Sequence, residues 1–352
     1  MKLSLLIFLF IFLLKILIFI KLYDIYYRQL INMNNNLNKA RKEKNDEFYT
    51  QYKDIEKECQ HYVEHLKDQW IYLPCDDEDS NFWKYFIDHF NEYGLKRLTA
   101  THINLDGTPS YRLDYDGLEV SKTSLNGNGD FRSEECTKIK NECDMVITNP
   151  PFSLFREFIK WLQDNTLQIK KFLIIGSSNA IRYKDIFPFL KNREVFVHSA
   201  NDTISFTMFF ITDSGEIKST SSIWFTNLNR DYVYRDLKLD KKYDADKYNH
   251  LLNYDCINVD KVKDIPYDYE GVMSVPITVM FYNPQQFDII GCTPHNVPNG
   301  FKGMSKEFID LYKSQGGTGQ YSVGNNTPHY ITNDGKARTV YNRILIKLKK
   351  NE

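Results

Sequence analysis

The chain has 352 residues, 42% of them apolar and 15% aromatic, enough for one large α/β domain or two smaller ones with a sizeable core. Its formal net charge is -1, so total charge does not announce a polyanionic partner, and any basic face must be local. Six cysteines show no CxxC pair and no zinc-type spacing, which points to reduced thiols rather than a metal centre or a disulfide framework.

The N-terminus opens on an apolar run, Leu3 to Ile20, broken only by Ser4 and Lys15. As a helix it would span roughly 27 Å, close to the thickness of a bilayer core. Residues 1–32 are therefore read as a hydrophobic leader, either a membrane anchor or an upstream extension, because Met33 begins a polar segment of the kind that starts a soluble protein. Membrane contact is expected only if the mature protein retains that leader.

Residues 46–66 have helical spacing, with Tyr52, Ile55, Cys59, Tyr62, Val63 and Leu66 on one face. Trp70 to Pro74 reads as a short strand that runs into the acidic loop Cys75-Asp76-Asp77-Glu78-Asp79-Ser80. Ser80 is placed to cap a helix ending before Gly94, and Leu95 to Ile103 is a second strand. Alternation around Asp116-Gly117 predicts a hairpin, and Ser133 is placed to cap a short helix after the turn Asn126-Gly127-Asn128-Gly129-Asp130. Asp144 to Thr148 is a strand. Phe155, Phe158, Ile159 and Leu162 then form one face of a helix, capped in this reading by Ser153. A strand at residues 170–178 and a helix begun or interrupted by Pro188 follow.

This alternation predicts a Rossmann-like, mostly parallel sheet with helices on both faces. After about Ser199 the pattern changes to a hairpin around Asp213-Ser214-Gly215, a Tyr- and Asn-rich stretch, and a basic C-terminal hairpin. Residues 33–200 are assigned to a catalytic core, and 201–352 to completion of the sheet plus a recognition region.

Between the strand ending at Thr148 and its following helix stands Asn149-Pro150-Pro151-Phe152. In open α/β sheets, ligands sit at the carboxyl ends of the strands, where this tetrad leaves. The Asn side-chain oxygen accepts a hydrogen bond, proline fixes φ so that the Pro150 carbonyl points one way, and Phe152 offers a ring for stacking. Two acceptors beside a π face suit a planar group bearing NH₂, such as the exocyclic amine of adenine. Held by its hydrogens, that poorly nucleophilic nitrogen can turn its lone pair toward an electrophilic methyl at roughly 3–3.5 Å, with no metal needed.

With these residues in view, the sequence resembles the EcoRI-type adenine-specific DNA methyltransferases. The likeness runs through Asn45 to Glu58, Cys75 to Phe86, Asn126 to Cys136 and Asn149 to Pro188, then returns at Ser222 to Leu228 and Val275 to Gly291. It implies a class I methyltransferase fold, S-adenosyl-L-methionine as methyl donor, and duplex DNA as substrate. A restriction endonuclease acting on the same site is a further implied partner, and a cytoplasmic, nucleoid or viral-DNA-associated location follows. Carried over position by position, Asn149 and Pro150 hold the target amine, Phe152 stacks on the extruded ring, and Pro151 completes the catalytic tetrad. Phe48, Tyr49 and Thr50 lie against the methionine part of the donor. Asp76 and Asp77 sit in the loop after the first strand, and Asp130 with Phe131 lies near the donor's adenine. The sequence departs from the general methyltransferase pattern in having no Gly-x-Gly turn in that first loop and no acidic residue closing the second strand.

A flipped base needs cations on the flanking phosphates. Arg182, Lys184, Lys302, Lys306, Lys336 and Arg338 are the candidates. Two other functions fit parts of the pattern: a methyltransferase with the same tetrad acting on ribosomal RNA or protein, and a membrane-tethered, inactive Rossmann-like binding protein. No GxGxxG or GxxxxGK[ST] follows any predicted strand, which argues against a dinucleotide-dependent oxidoreductase or a kinase.

Overall fold

The computed structural model describes residues 49–163, 170–199, 207–211, 217–228 and 234–350. The apolar leader, Phe48 and the turn at Asp213-Ser214-Gly215 lie outside those residues. Among the described residues no helix is long and apolar enough to cross a membrane.

The chain order begins with β1 (Tyr49–Thr50), α1 (Tyr52–Cys59), α2 (Val63–Leu66), β2 (Trp70–Leu73), α3 (Asn81–Asp88) and β3 (Arg97–Thr101). The hairpin β4 (Tyr111–Tyr115) and β5 (Val120–Ser124) follows, then α4 (Glu134–Glu142), β6 (Met145–Thr148), α5 (Phe155–Leu162) and β7 (Lys171–Ser177). Next come α6 (Phe187–Lys191), β8 (Phe196–His198), β9 (Thr207–Ile211) and β10 (Ile217–Thr226). These strands make a ten-stranded sheet in the order β1-β9-β10-β7-β6-β2-β3-β4-β5, with β8 on β10. Its centre, β7-β6-β2-β3, is parallel. The flanks run antiparallel, through the hairpin connections of β3, β4 and β5 on one side and through β10, which lies against both β9 and β7, on the other.

Alternation along the central strands gives the sheet two apolar faces. Tyr72, Val146, Phe172, Ile174, Ile223 and Phe225 face the core shared with α4, α5 and α6. On a neighbouring register position of β10, Trp224 meets Phe82 of α3 edge-on at 6.2 Å. Gly176 has a packing role: a Cβ there would meet the Phe155 ring at 2.4 Å and the Phe225 ring at 3.0 Å. The missing side chain is what lets the first helical residue after the tetrad seat on the sheet.

The expected caps at Ser80 and Ser133 are present, accepting from the main-chain N–H of Trp83 at 3.1 Å and of Cys136 at 3.2 Å. The Ser153 cap is not. A 3₁₀ turn at Phe152–Leu154 intervenes and α5 starts at Phe155 with no side-chain cap. Two prolines keep the chain extended up to Pro151, so the turn winds tighter before the helix can begin.

The remaining strands are β11 (Cys256–Asn258), β12 (Val272–Pro276), β13 (Phe287–Cys292), β14 (His329–Ile331), β15 (Ala337–Thr339) and β16 (Arg343–Leu348), with α7 (Lys306–Ser314) before β14. They form a second sheet, β11-β12-β16-β13, and a separate ribbon of β14 and β15. The expected C-terminal hairpin is thus divided: β15 pairs back to β14, while β16 inserts between β12 and β13. Val259, Met273, Val275, Ile344 and Ile346 of this region join the same core as Phe158 and Ile174.

Candidate active site

Strands β2 and β6 are parallel neighbours, so the loops leaving their carboxyl ends meet. From β2 the chain enters Cys75 and Asp76. The Asp76 main-chain N–H donates to the carbonyl of Thr101 at 3.0 Å, and its side chain turns inward, where the Thr148 hydroxyl donates to Oδ2 at 2.7 Å. Thr148 is the last residue of β6 and the one before Asn149, so this bond ties the acidic loop to the root of the tetrad. Pro150 is buried, while Asn149, Pro151 and Phe152 are half-buried, so the tetrad reaches the surface.

The N-terminal segment arrives at the same corner. Thr50 pairs with Phe210 of β9, and the Phe210 ring stands edge-on to Phe152 with centroids 6.5 Å apart. The Thr50 carbonyl accepts from the Asn81 side-chain amide at 2.8 Å, at the start of the helix that follows the acidic loop. Asp76, Thr148, Asn149, Phe152, Phe210, Thr50 and Asn81 therefore converge from five segments on the carboxyl edge of the sheet.

Burial dominates the acid strength of Asp76. It pushes the carboxyl up to about 7, against the hydrogen bonds from Thr148 and Ser80, which favour the anion. Between the unfolded value near ~4 and about 7, the unfolded chain has released a proton that the folded chain keeps, so stability falls as pH rises through that window. In Asp76→Asn this slope is expected to disappear, with the variant gaining up to about 4 kcal/mol on the wild type between pH 4 and pH 8, at ~1.4 kcal/mol per unit. Denaturant midpoints at both pH values measure it, and parallel wild-type and variant curves would contradict it.

The other acidic residues of the loop have different tasks. Asp77 Oδ1 accepts from the main-chain N–H groups of Asp79 at 2.9 Å and Ser80 at 3.0 Å, closing the turn into α3. Glu78 binds Lys122 at 2.7 Å and the Tyr111 hydroxyl of the β4–β5 hairpin. Despite burial, which acts to raise it, these contacts hold the Glu78 carboxyl down at about 2.

The turn after β5 is shaped by glycine. Gly129 has φ +82°, and a Cβ on it would lie 1.9 Å from the His102 carbonyl oxygen, so the loop rests directly on the main chain beyond β3. Glu135 fixes the turn by accepting from the N–H groups of Asn126 at 3.0 Å and Gly127 at 2.9 Å. The Asp130 carboxylate is forked by Arg132, with Nε at 2.9 Å and Nη2 at 2.6 Å, which holds it below the usual carboxylate range. The Phe131 ring is packed against Phe158 at 5.0 Å and Trp161 at 5.4 Å, so its side chain belongs to the core.

Of the sequence candidates, the structure brings Thr50, Asp76, Asn149, Pro150, Pro151 and Phe152 together. Only the main chain of Tyr49 is described, paired with Ile211. Arg182 and Lys184 follow β7 on the same sheet edge. Lys302 and Lys306 flank the start of α7, and Arg338 is on the β14–β15 ribbon. Lys336, beside it, is paired with Asp334 at 2.6 Å. Sequence reasoning missed Thr148, Asn81 and Phe210. Thr148 adjoins the tetrad and had a local signal; Asn81 and Phe210 reach the site only through tertiary pairing. Among the described residues no group of three or more His, Cys, Asp or Glu side chains is arranged to hold a metal ion.

The family model described as adenine-specific methyltransferase EcoRI matches residues 36–349. The type II methyltransferase M.EcoRI of Escherichia coli is 40% identical over 292 residues, 73% of this chain and 89% of that protein. M.MpnI of Mycoplasma pneumoniae is 36% identical over 274 residues, 72% of this chain and 85% of that protein. M.MgeORF184P of Mycoplasma genitalium is 35% identical over 277 residues, 73% of this chain and 86% of that protein. No solved structure matches the chain. A match of the family model across nearly all of the chain, beside relatives of this identity, makes the protein a member of the EcoRI adenine-specific methyltransferase family, a DNA methyltransferase of the kind found in restriction–modification systems.

Proposed function

We propose that the protein uses S-adenosyl-L-methionine to methylate the exocyclic N6 amine of an adenine extruded from duplex DNA, with Asn149 and Pro150 as the amine's acceptors. The observation that carries the reading is the convergence of the half-buried tetrad, the Asp76–Thr148 bond and Thr50 on one strand edge.

The residues fit such a donor. The Thr50 hydroxyl oxygen is buried and, among the described residues, has no hydrogen-bond partner, which suits a polar ligand atom. Among the described residues, the buried Asp76 carboxyl has no cation in hydrogen-bond or ion-pair contact, and a ligand bearing an ammonium and a sulfonium would restore its charge. When bound, the donor supplies an electrophilic methyl group. The chain supplies position: the Asn149 side-chain oxygen and the Pro150 carbonyl accept the two amine hydrogens and aim the nitrogen lone pair. Phe152 keeps the purine plane from rotating, and Phe210 braces that ring from its edge. Both acceptors also stabilise the positive charge that grows on nitrogen, and the proton it then sheds leaves to water.

Phe152→Ala is expected to weaken handling of the flipped base by ~1–3 kcal/mol, while Phe152→Tyr and Phe152→Trp retain most of it because each keeps a π face. Single-turnover rates on one duplex compare the three, and equal losses in all of them would refute a stacking role. Labelled methyl transfer to duplex DNA, RNA and protein in parallel tests the whole reading. Incorporation into adenines of duplex is the expected result, and incorporation only into RNA or protein overturns it. The reading implies action wherever DNA lies, in the cytoplasm or nucleoid, and a cognate endonuclease barred by the methyl mark.

A further inference from the structure

The stretch after β7 gathers cations with aromatic rings. Arg182 follows Ser178 on the 3₁₀ turn that leaves the sheet, Lys184 is two residues on, and Arg156 lies in the first turn of α5, four residues beyond Phe152. The Arg156 guanidinium lies over the Tyr183 ring at 4.2 Å, and that of Arg182 is 5.7 Å from the Tyr341 centroid. His295 joins from the loop after β13; partial shielding from water, then Arg182, Lys184 and Arg156, hold its imidazole below the usual range. The four side chains therefore share one neighbourhood drawn from three separate segments.

Their charge is not balanced locally. Among the described residues none of Arg156, Arg182 and Lys184 has a carboxylate within ion-pair distance, and the nearby acids have other partners: Asp185 with Lys160 at 3.8 Å, and Glu157 with Arg132 at 2.5 Å. Arg182 is instead aimed by neutral amides, donating to Asn342 Oδ1 at 2.7 Å and Asn179 Oδ1 at 2.9 Å, while the Asn296 amide donates to its carbonyl at 2.9 Å. Such contacts fix direction without cancelling charge. Beside them Tyr341 is 77% exposed, a large flat ring that the fold leaves in water next to a guanidinium.

We propose that Arg156, Lys184 and His295, with Arg182 held by the amides, seat a backbone phosphate of the substrate strand next to the flipped adenine, and that Tyr341 stacks on an adjoining base or sugar. This rests on the functional reading above and specifies where the strand runs. Oriented cations without acidic partners suit a phosphodiester, interleaved rings suit a nucleic acid, and a position four residues from Phe152 suits a phosphate flanking the reacting nucleotide. The seat also spans the main sheet and the loops before β16 and after β13, so the strand would touch both.

Duplex binding across a salt series, for wild type, Arg156→Gln, Lys184→Gln and Tyr341→Ala, tests it. Each cation variant is expected to bind about tenfold more weakly at low salt, with the slope of log affinity on log salt reduced by about one. Tyr341→Ala is expected to lose fivefold or more at the wild-type slope, because stacking releases no counterions, while Lys247→Gln, at a surface pair with Asp244, behaves as wild type. Heats of donor binding check that each variant is folded. Wild-type affinity and slope in both cation variants would overturn the phosphate seat, and an unchanged affinity in Tyr341→Ala would overturn the stacking contact. A wild-type protein that transfers no methyl to any duplex would refute the functional reading instead, since the salt slope measures binding and not transfer.

Discussion

Asn149→Ala is expected to lower methyl transfer to duplex DNA by about 10²–10³-fold, the loss that follows removal of one preorganised hydrogen-bonding group from a reacting centre. Donor affinity should change little, because the proposed donor contacts, Thr50 and Asp76, come from β1 and the loop after β2 rather than from the tetrad. Asn149→Asp is the informative companion. It keeps an acceptor of the same shape but brings a charge into a half-buried corner close to Asp76 and Thr148, where a second carboxyl would be pushed toward its neutral form. Its activity should therefore rise with pH between about 5 and 8, as the acceptor-only form returns. Quenched single-turnover rates and calorimetric donor titrations, made on the same preparations, measure both expectations. A variant that keeps most of its rate with alanine at 149 removes the amide from the chemistry.

Gly129→Ala is expected to be the most damaging single methyl group in the described chain. The left-handed φ of +82° disfavours any side chain by ~1–2 kcal/mol, and a Cβ at 1.9 Å from the His102 carbonyl forces apart two main-chain segments at a further ~1–3 kcal/mol. The sum, roughly 2–5 kcal/mol, corresponds to a fall in Tm of about 3–8 °C for a domain of this size. Gly107→Ala separates the two contributions. Its φ is also +82°, but nothing lies within 4 Å of the added atom, so it should show the conformational part alone. Thermal melts of both variants give the comparison, and equal losses would mean that the His102 contact does not constrain the loop. The Asp130-Phe131 segment would move with the loop, so weaker donor binding is expected in Gly129→Ala and not in Gly107→Ala.

The parts of the fold that rest on local chemistry were legible in the sequence. Ser80 and Ser133 cap as expected because a hydroxyl before a helix meets N–H groups a few residues away. The apolar face Phe155, Phe158, Ile159 and Leu162 is buried because helical spacing alone decides it. Ser153 failed as a cap for an equally local reason, the extended conformation that two prolines impose. What the sequence did not disclose is pairing over long separation. Nothing near Arg343 indicates that β16 will enter a sheet between β12 and β13, and nothing near Thr50 names Phe210 as its neighbour. At the site, Asn149 to Phe152 were legible as a candidate because four adjacent residues form one motif at the end of a strand. Asp76 was recognised as part of a loop, yet its inward turn onto Thr148 depends on the register of β2 against β6. Arg156 hid in an amphipathic pattern, where an exposed arginine reads as ordinary solvation, and His295 became visible only once β13 was docked.

The shared core of the two sheets bears on how a wrong site is refused. Phe158, Ile174 and Val197 are packed in one apolar cluster with Val275, Ile289 and Ile344, so the two layers cannot hinge apart without wetting that cluster. Among the described residues, then, the two sheets offer one continuous wall rather than two arms that close on a substrate. Discrimination between correct and incorrect sites then falls on the helix being scanned, through how readily each base step yields to a rigid mould.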